Sequence, residues 1–287
     1  MKKYLHWAGS ALAAIGILFV VIRLRGYSGQ INFKDFDREI WWVIGSCAVV
    51  YGLSNVMLAL AWWNLLGQFG TATSRLWAIG AYGITQLAKY VPGNIFHLAG
   101  RQAVGMAAGL PGWSLAKSSI WELALIASAG SLFGSLALPL MLPALPLELG
   151  AIVFALALIV GAVALRACLG PAAVWAFGWY VGFLGISGML FVCLVGVTFP
   201  VGVESSANWI MLCGAYVLAW LAGLLTPGAP AGVGVREIVL IFLLNGLIGE
   251  SELLLAVVLG RVVTVVGDLL FFVIASLQRK SHPVEVK

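Results

Sequence analysis

The chain has 287 residues, of which 62% are hydrophobic and only 9% charged, with a mean hydropathy of +1.05. A surface kept in water needs roughly 25% charged residues, so these figures exclude a soluble globular domain. The net charge of +5 comes from Lys and Arg concentrated near the two ends, not from a basic face on a folded domain, and this excludes nucleic acid as a partner.

About 20 apolar residues cross the ~30 Å hydrocarbon core as a helix, which gives the chain room for roughly seven or eight crossings. Residues 40–66 and 172–203 carry no charge at all, unlike the short alternating segments of a membrane β-barrel. The expected fold class is therefore all-α: a polytopic integral membrane helical bundle, with residues 1–287 forming a single transmembrane domain.

The first predicted span, 5–22, follows Lys2 and Lys3 and superficially resembles a signal peptide. No small-x-small cleavage site follows it, and Arg23 and Arg25 flank it, so an uncleaved span is expected. A polar loop covers 26–39. The second span, 40–66, has Trp41, Trp42, Trp62 and Trp63 at its ends, as in interfacial aromatic belts. Residues 76–88 are too few to cross, and Lys89-Tyr90-Val91-Pro92-Gly93-Asn94 interrupts them before a helical pattern resumes to Leu110. Proline removes a backbone donor and glycine relaxes the chain, so a broken or re-entrant helix is predicted.

A span over 113–142 holds Lys117 and Glu122. Spans at 151–165 and 172–197 follow, separated by Arg166 and Pro171, and Gly178, Gly182 and Gly185 on the second suit close helix contact. Residues 208–225 form another span that runs into Thr226-Pro227-Gly228-Ala229-Pro230-Ala231-Gly232-Val233-Gly234-Val235-Arg236-Glu237, a second breaker-rich element. Residues 238–249 are again too short to cross, and the last span, 253–277, contains Arg261 and Asp268.

Pro92 precedes Arg101 by the same nine residues that separate Pro227 from Arg236, and each element is followed by a charged span. Paired interrupted segments point to a transporter-like site between inverted repeats, here with halves at about 40–142 and 172–277. The match is a few residues deep, so coincidence stands beside it as an alternative. Lys2, Lys3, Arg279 and Lys280 favour cytoplasmic termini, whereas Arg23, Arg25, Lys34 and Arg38 in the first loop oppose this.

A charge at a helix centre costs about 2.5–3.5 kcal/mol on insertion scales and normally faces a cavity or a partner. Asn94, His97 and Arg101 share one helical face, with Lys89 just before the break and free N–H groups available to an anion. The alternative is that Lys89 and Arg101 snorkel to an interface. Around the second break, Gly228, Gly232 and Gly234 allow close backbone approach to a lipid headgroup, with Arg236 holding phosphate. A tight turn with an Arg236–Glu237 or cross-helix ion pair is the alternative. Arg261, Thr264 and Asp268 share a face, and Glu122 needs a partner from among Arg101, Arg236 and Arg261, either as a structural ion pair or as a proton relay.

The candidate substrate-binding residues are thus Lys89, Asn94, His97, Arg101, Glu122, Arg236, Glu237, Arg261 and Asp268. Cys47, Cys168, Cys193 and Cys213 are scattered as packing residues and the three histidines lie far apart, so neither a disulfide framework, a metal site nor a cofactor is expected. Asp35-Phe36-Asp37 matches the DxD of glycosyltransferases, but HExxH, GxSxG, Walker A and dinucleotide patterns are missing.

At Lys89-Tyr90-Val91-Pro92-Gly93-Asn94-Ile95-Phe96-His97-Leu98-Ala99-Gly100-Arg101 and at Pro227 through Arg236-Glu237, the chain resembles the lysylphosphatidylglycerol synthase transmembrane-region family. That family includes the flippase domain of the bacterial multiple peptide resistance factor and small standalone proteins. The resemblance covers most of the chain in span order. It implies a helical bundle with re-entrant segments around a cavity that passes a lipid headgroup between leaflets, with Arg101, Arg236 and Glu237 as cavity residues. Ten residues follow Leu277, so no C-terminal aminoacyl-transferase domain is expected, nor synthesis of lysylphosphatidylglycerol.

The expected function is a lipid translocase of a prokaryotic inner membrane, a transporter and not an enzyme, whose partner is an anionic or phosphate-bearing membrane lipid. An oligomer is compatible with the sequence. The alternatives are an integral-membrane glycosyltransferase using Asp35, Asp37 or Glu39, and a non-catalytic accessory subunit of envelope lipid or polysaccharide synthesis.

Overall fold

The computed structural model describes residues 22, 25, 37–91, 95–198, 206–226, 230–244 and 247–281, with 198, 206–208, 230, 250–252 and 279–281 described by backbone alone. The predicted first span and most of the loop after it lie outside the described residues, as do Asp35, Pro92, Gly93, Asn94, Pro227 and Gly228.

The described chain is all-α, as the composition predicted. The charge-free second span becomes α1 (Arg38–Gln68), which ends before Gly70 at φ +77°, a left-handed conformation that glycine adopts without a Cβ penalty. Ser74 opens α2 (Arg75–Gln86), its Oγ accepting a hydrogen bond from the Trp77 amide at 3.1 Å. A 3-10 turn, Leu87–Tyr90, tightens the end of α2 ahead of the first break, and α3 (Phe96–Ala107) follows it. At the second break, α8 (Ser206–Leu225) is followed by a 3-10 turn at Pro230–Gly232 and then the short α9 (Val235–Leu244).

Between the breaks run α4 (Gly112–Leu132), α5 (Gly134–Met141), α6 (Leu147–Cys168) and α7 (Pro171–Thr198), and α10 (Glu250–Ser281) follows α9. The predicted 113–142 span is not one straight helix. It bends by 40° between α4 and α5, where the Phe133 carbonyl lies against α8 so closely that a Cβ on Gly214 would come within 2.8 Å of it.

Four described helices, α1, α6, α7 and α10, are long and apolar enough to cross a membrane, or five if the bent α4–α5 pair is one span. The protein is therefore membrane-spanning. The expected room for seven or eight crossings is not filled by full-length spans among the described residues: the predicted 5–22 span lies outside them, and the predicted 208–225 span, in the helix before the second break, is a shorter apolar helix over Trp209–Leu225. Helix α6 is the most lipid-exposed of these spans, with only Gly150 buried inside the protein. Helices α1, α7 and α10 are instead half-buried, and their inner faces join one continuous core.

Close helix contact is placed differently from the expectation. Of Gly178, Gly182 and Gly185, only Gly182 is tight, against the Met57 side chain; Gly178 faces open space. The decisive crossing is α1 on α10. A Cβ on Gly267 would lie 2.7 Å from the Ala48 carbonyl oxygen, and one on Gly52 would lie 2.9 Å from that of Gly267. Both obstacles are backbone, which cannot rotate away. Gly267→Val should force the helices apart and cost about 1–3 kcal/mol or more, read as a lower thermal midpoint in detergent. A midpoint equal to wild type would show that the crossing is not this tight.

Candidate functional site

The turns at the two breaks pack together, Ala231 against the cluster of Leu87, Tyr90 and Val265, beside a cavity of about 80 Å³ lined by residues from every described helix except α5 and α6. One water needs roughly 10–15 Å³, so several waters or a small charged group fit. Six of the nine candidate residues line it: Lys89, His97, Glu122, Arg236, Arg261 and Asp268. Arg101 and Glu237 stand just behind, bonded to lining residues, and Asn94 lies outside the described residues.

Asp268 is fully buried, on the α10 face set by the Gly267 crossing. Its Oδ2 accepts from Lys89 Nζ at 2.8 Å and Tyr90 Oη at 2.5 Å. Its Oδ1 accepts from Asn55 Nδ2 at 3.2 Å and Gln86 Nε2 at 3.3 Å, and Gln86 also donates to Asn55 Oδ1 at 3.0 Å. A carboxylate removed from water needs such a set of donors to remain charged. The first break is thereby tied to α1 and α10. Lys89 does not snorkel; it points inward.

Arg101, only 1% exposed, meets Glu122 through Nη1, at 2.9 Å from Oε1 and 2.7 Å from Oε2. Tyr82 Oη donates to the same Oε1 at 2.9 Å, and the guanidinium lies over the Tyr82 ring, 4.1 Å from its centroid. Of the three arginines considered as partners for Glu122, the structure selects Arg101, and the snorkelling alternative for Arg101 is likewise excluded.

The second break is held by Arg261. Its Nη1 and Nη2 donate to the carbonyls of Ala231 and Gly232 at 2.7 and 2.9 Å, and its Nε donates to Glu237 Oε1 at 2.9 Å. Ala231 sits at φ +49°, a left-handed conformation costly for a residue with a Cβ, and the Arg261 contact to its carbonyl helps to hold it there. Gly232 must be glycine on two counts, with φ +70° and a Cβ position 2.7 Å from Gly223 Cα of α8. The other Glu237 oxygen accepts from the Gly234 amide at 2.7 Å, as a glutamate in the first turn does when it reaches back to the start of its helix.

Of the two ion pairs weighed for this break, the cross-helix one forms, between Arg261 and Glu237, and an Arg236–Glu237 pair does not. Arg236 is 8% exposed and has no carboxylate or hydrogen-bond partner among the described residues; its Nε is buried and unsatisfied. The Tyr216 ring centroid lies 5.7 Å from its guanidinium carbon. His97 Nδ1 is the other buried unsatisfied nitrogen on a cavity-lining residue. The Arg236 guanidinium, on the cavity lining, offers an anion a two-pronged donor.

Asn55, Tyr82, Gln86 and Tyr90 belong to the site but were absent from the expected set. Asn55 and Gln86 had a usable signal, since an amide inside an apolar run raises the same question as a charge. The tyrosines had none, because tyrosine equally fits an interfacial belt. Asp37 and Glu39, the described acids of the first loop, are exposed at the start of α1, and no group of three His, Cys, Asp or Glu able to hold a metal occurs among the described residues. No protein-family model matches the chain, and neither does any curated protein or solved structure.

Proposed function

We propose that the protein is a lipid translocase of a prokaryotic inner membrane, a multi-pass protein with both termini in the cytoplasm. The phosphate-bearing headgroup of its substrate enters the cavity beside the two breaks while the tails stay in the bilayer. The observation that carries this reading is Arg236, a buried guanidinium on the cavity lining with no salt-bridge partner among the described residues. An isolated cation at membrane depth is costly, and such residues mark substrate pathways. Supporting it, short broken helices flank the cavity, as at transporter sites, and the resemblance to the lysylphosphatidylglycerol synthase transmembrane region lies at these same two segments.

The test is transfer of a fluorescent phospholipid between leaflets of vesicles carrying the purified protein, followed by quenching of the outer leaflet. Wild type should accelerate transfer over empty vesicles, and Arg236→Ala should lower it at least tenfold. Asp37→Asn with Glu39→Gln should leave it unchanged, whereas a glycosyltransferase working through the first loop would not accelerate transfer over empty vesicles. Equal transfer by wild type and Arg236→Ala would sink the assignment.

A further inference from the structure

The charges around the cavity pair off with one left over. Lys89 Nζ is 2.8 Å from Asp268, Arg101 Nη1 is 2.7 Å from Glu122, and Arg261 Nη2 is 2.9 Å from Glu237. Four cations therefore meet three carboxylates, and Arg236 is the remainder. Among the described residues no other Lys, Arg, Asp or Glu lines the cavity, and His97 is counted as a neutral imidazole. Resting on the translocase reading, we infer that the site is charge-matched to a singly charged phosphate: it takes phosphodiester headgroups and rejects phosphomonoester and pyrophosphate headgroups.

A phosphodiester carries one negative charge and presents two non-bridging oxygens. The Arg236 fork can engage both, leaving the cavity neutral. A phosphomonoester carries about 1.5–2 negative charges near pH 7, and a pyrophosphate linkage likewise exceeds one. The excess has no free cation to meet. Lys89, Arg101 and Arg261 are each committed to a carboxylate within 2.9 Å, and Arg261 also holds the Ala231 and Gly232 carbonyls. Recruiting any of them strands Asp268, Glu122 or Glu237 beside a second negative charge, where the surrounding protein screens poorly.

Phosphodiester headgroups occur on glycerol lipids and on polyprenyl monophosphoryl sugars, so the test crosses tail with charge. Wild-type protein in vesicles is given labelled phosphatidylglycerol, phosphatidic acid, a polyprenyl monophosphoryl hexose or the matching polyprenyl pyrophosphoryl hexose. Within the tail class that is carried, the singly charged lipid should move at least tenfold faster than its more highly charged counterpart, and the class that moves identifies the source. Asp268→Asn raises the surplus to two and should shrink that ratio severalfold; if this variant does not fold, the wild-type ratio decides alone. A polyanionic lipid moving as fast as its monoanionic partner, or a ratio unaltered in folded Asp268→Asn, overturns the charge match while leaving the translocase reading intact. No transfer of any of the four overturns both.

Discussion

Glu122→Ala is expected to destabilise the protein by about 3–5 kcal/mol, the range measured when one partner of a buried ion pair is removed. Arg101 would remain 1% exposed with nothing opposite its Nη1, and a guanidinium cannot shed its charge by losing a proton. Tyr82 Oη would lose its acceptor as well. The aromatic faces of Tyr82 and Trp62, 4.1 and 5.6 Å from the guanidinium carbon, return about 0.5–2 kcal/mol. That is too little to compensate. Removing both charges is a different matter, because well-packed apolar replacements of a buried pair are often neutral or stabilising. Arg101→Met with Glu122→Leu should recover most of the loss, and it also removes Arg101 Nη2, a buried donor without a partner. Thermal or denaturant unfolding of the two single variants and the double in detergent checks this. A double variant as unstable as the sum of the singles would mean that the pair does not act as a unit.

That pair also shows how far the sequence could be read. Charges isolated in apolar runs are conspicuous, so Glu122, Arg261 and Asp268 stood out at once, and helical spacing put Arg261 and Asp268 on one face. Both do line the cavity. Their partners were not legible, because pairing across 21 or 179 positions depends on how helices cross, and helix crossing is set by small residues whose role shows only in three dimensions. Gly52 and Gly267 bring α1 and α10 together and so deliver Asp268 to Asn55, yet neither sits in a pattern that separates it from the other 33 of the chain's 35 glycines. Gly178 looked equally suitable and touches nothing.

The breaks were legible because proline and glycine act locally, on their own backbone. What each break does could not be read in the same way. Lys89 ties the first to Asp268, and Arg261 ties the second through two carbonyls and Glu237, so both breaks hang from α10 at positions seven residues apart. Seven residues is close to two helical turns, about 10 Å along one face. A displacement of α10 would therefore be felt at both breaks together.

Arg236→Ala is expected to separate stability from function. In an unpacked membrane helix an arginine can snorkel toward an interface, whereas in the native protein Arg236 is held 8% exposed. Insertion scales put a central arginine at about 2.5–3.5 kcal/mol, and the Tyr216 face, 5.7 Å away, returns about 0.5–2. Folding therefore works against this side chain. The alanine variant should unfold at the same temperature as wild type or a higher one, even as lipid transfer falls at least tenfold. Arg261→Ala is the control of opposite kind, because it strands Glu237 and releases the Ala231 and Gly232 carbonyls, and it should lower the midpoint clearly. Parallel stability losses in the two variants would assign Arg236 to the scaffold. The opposite signs expected here are those of a residue kept at a cost to the fold because a phosphate completes it.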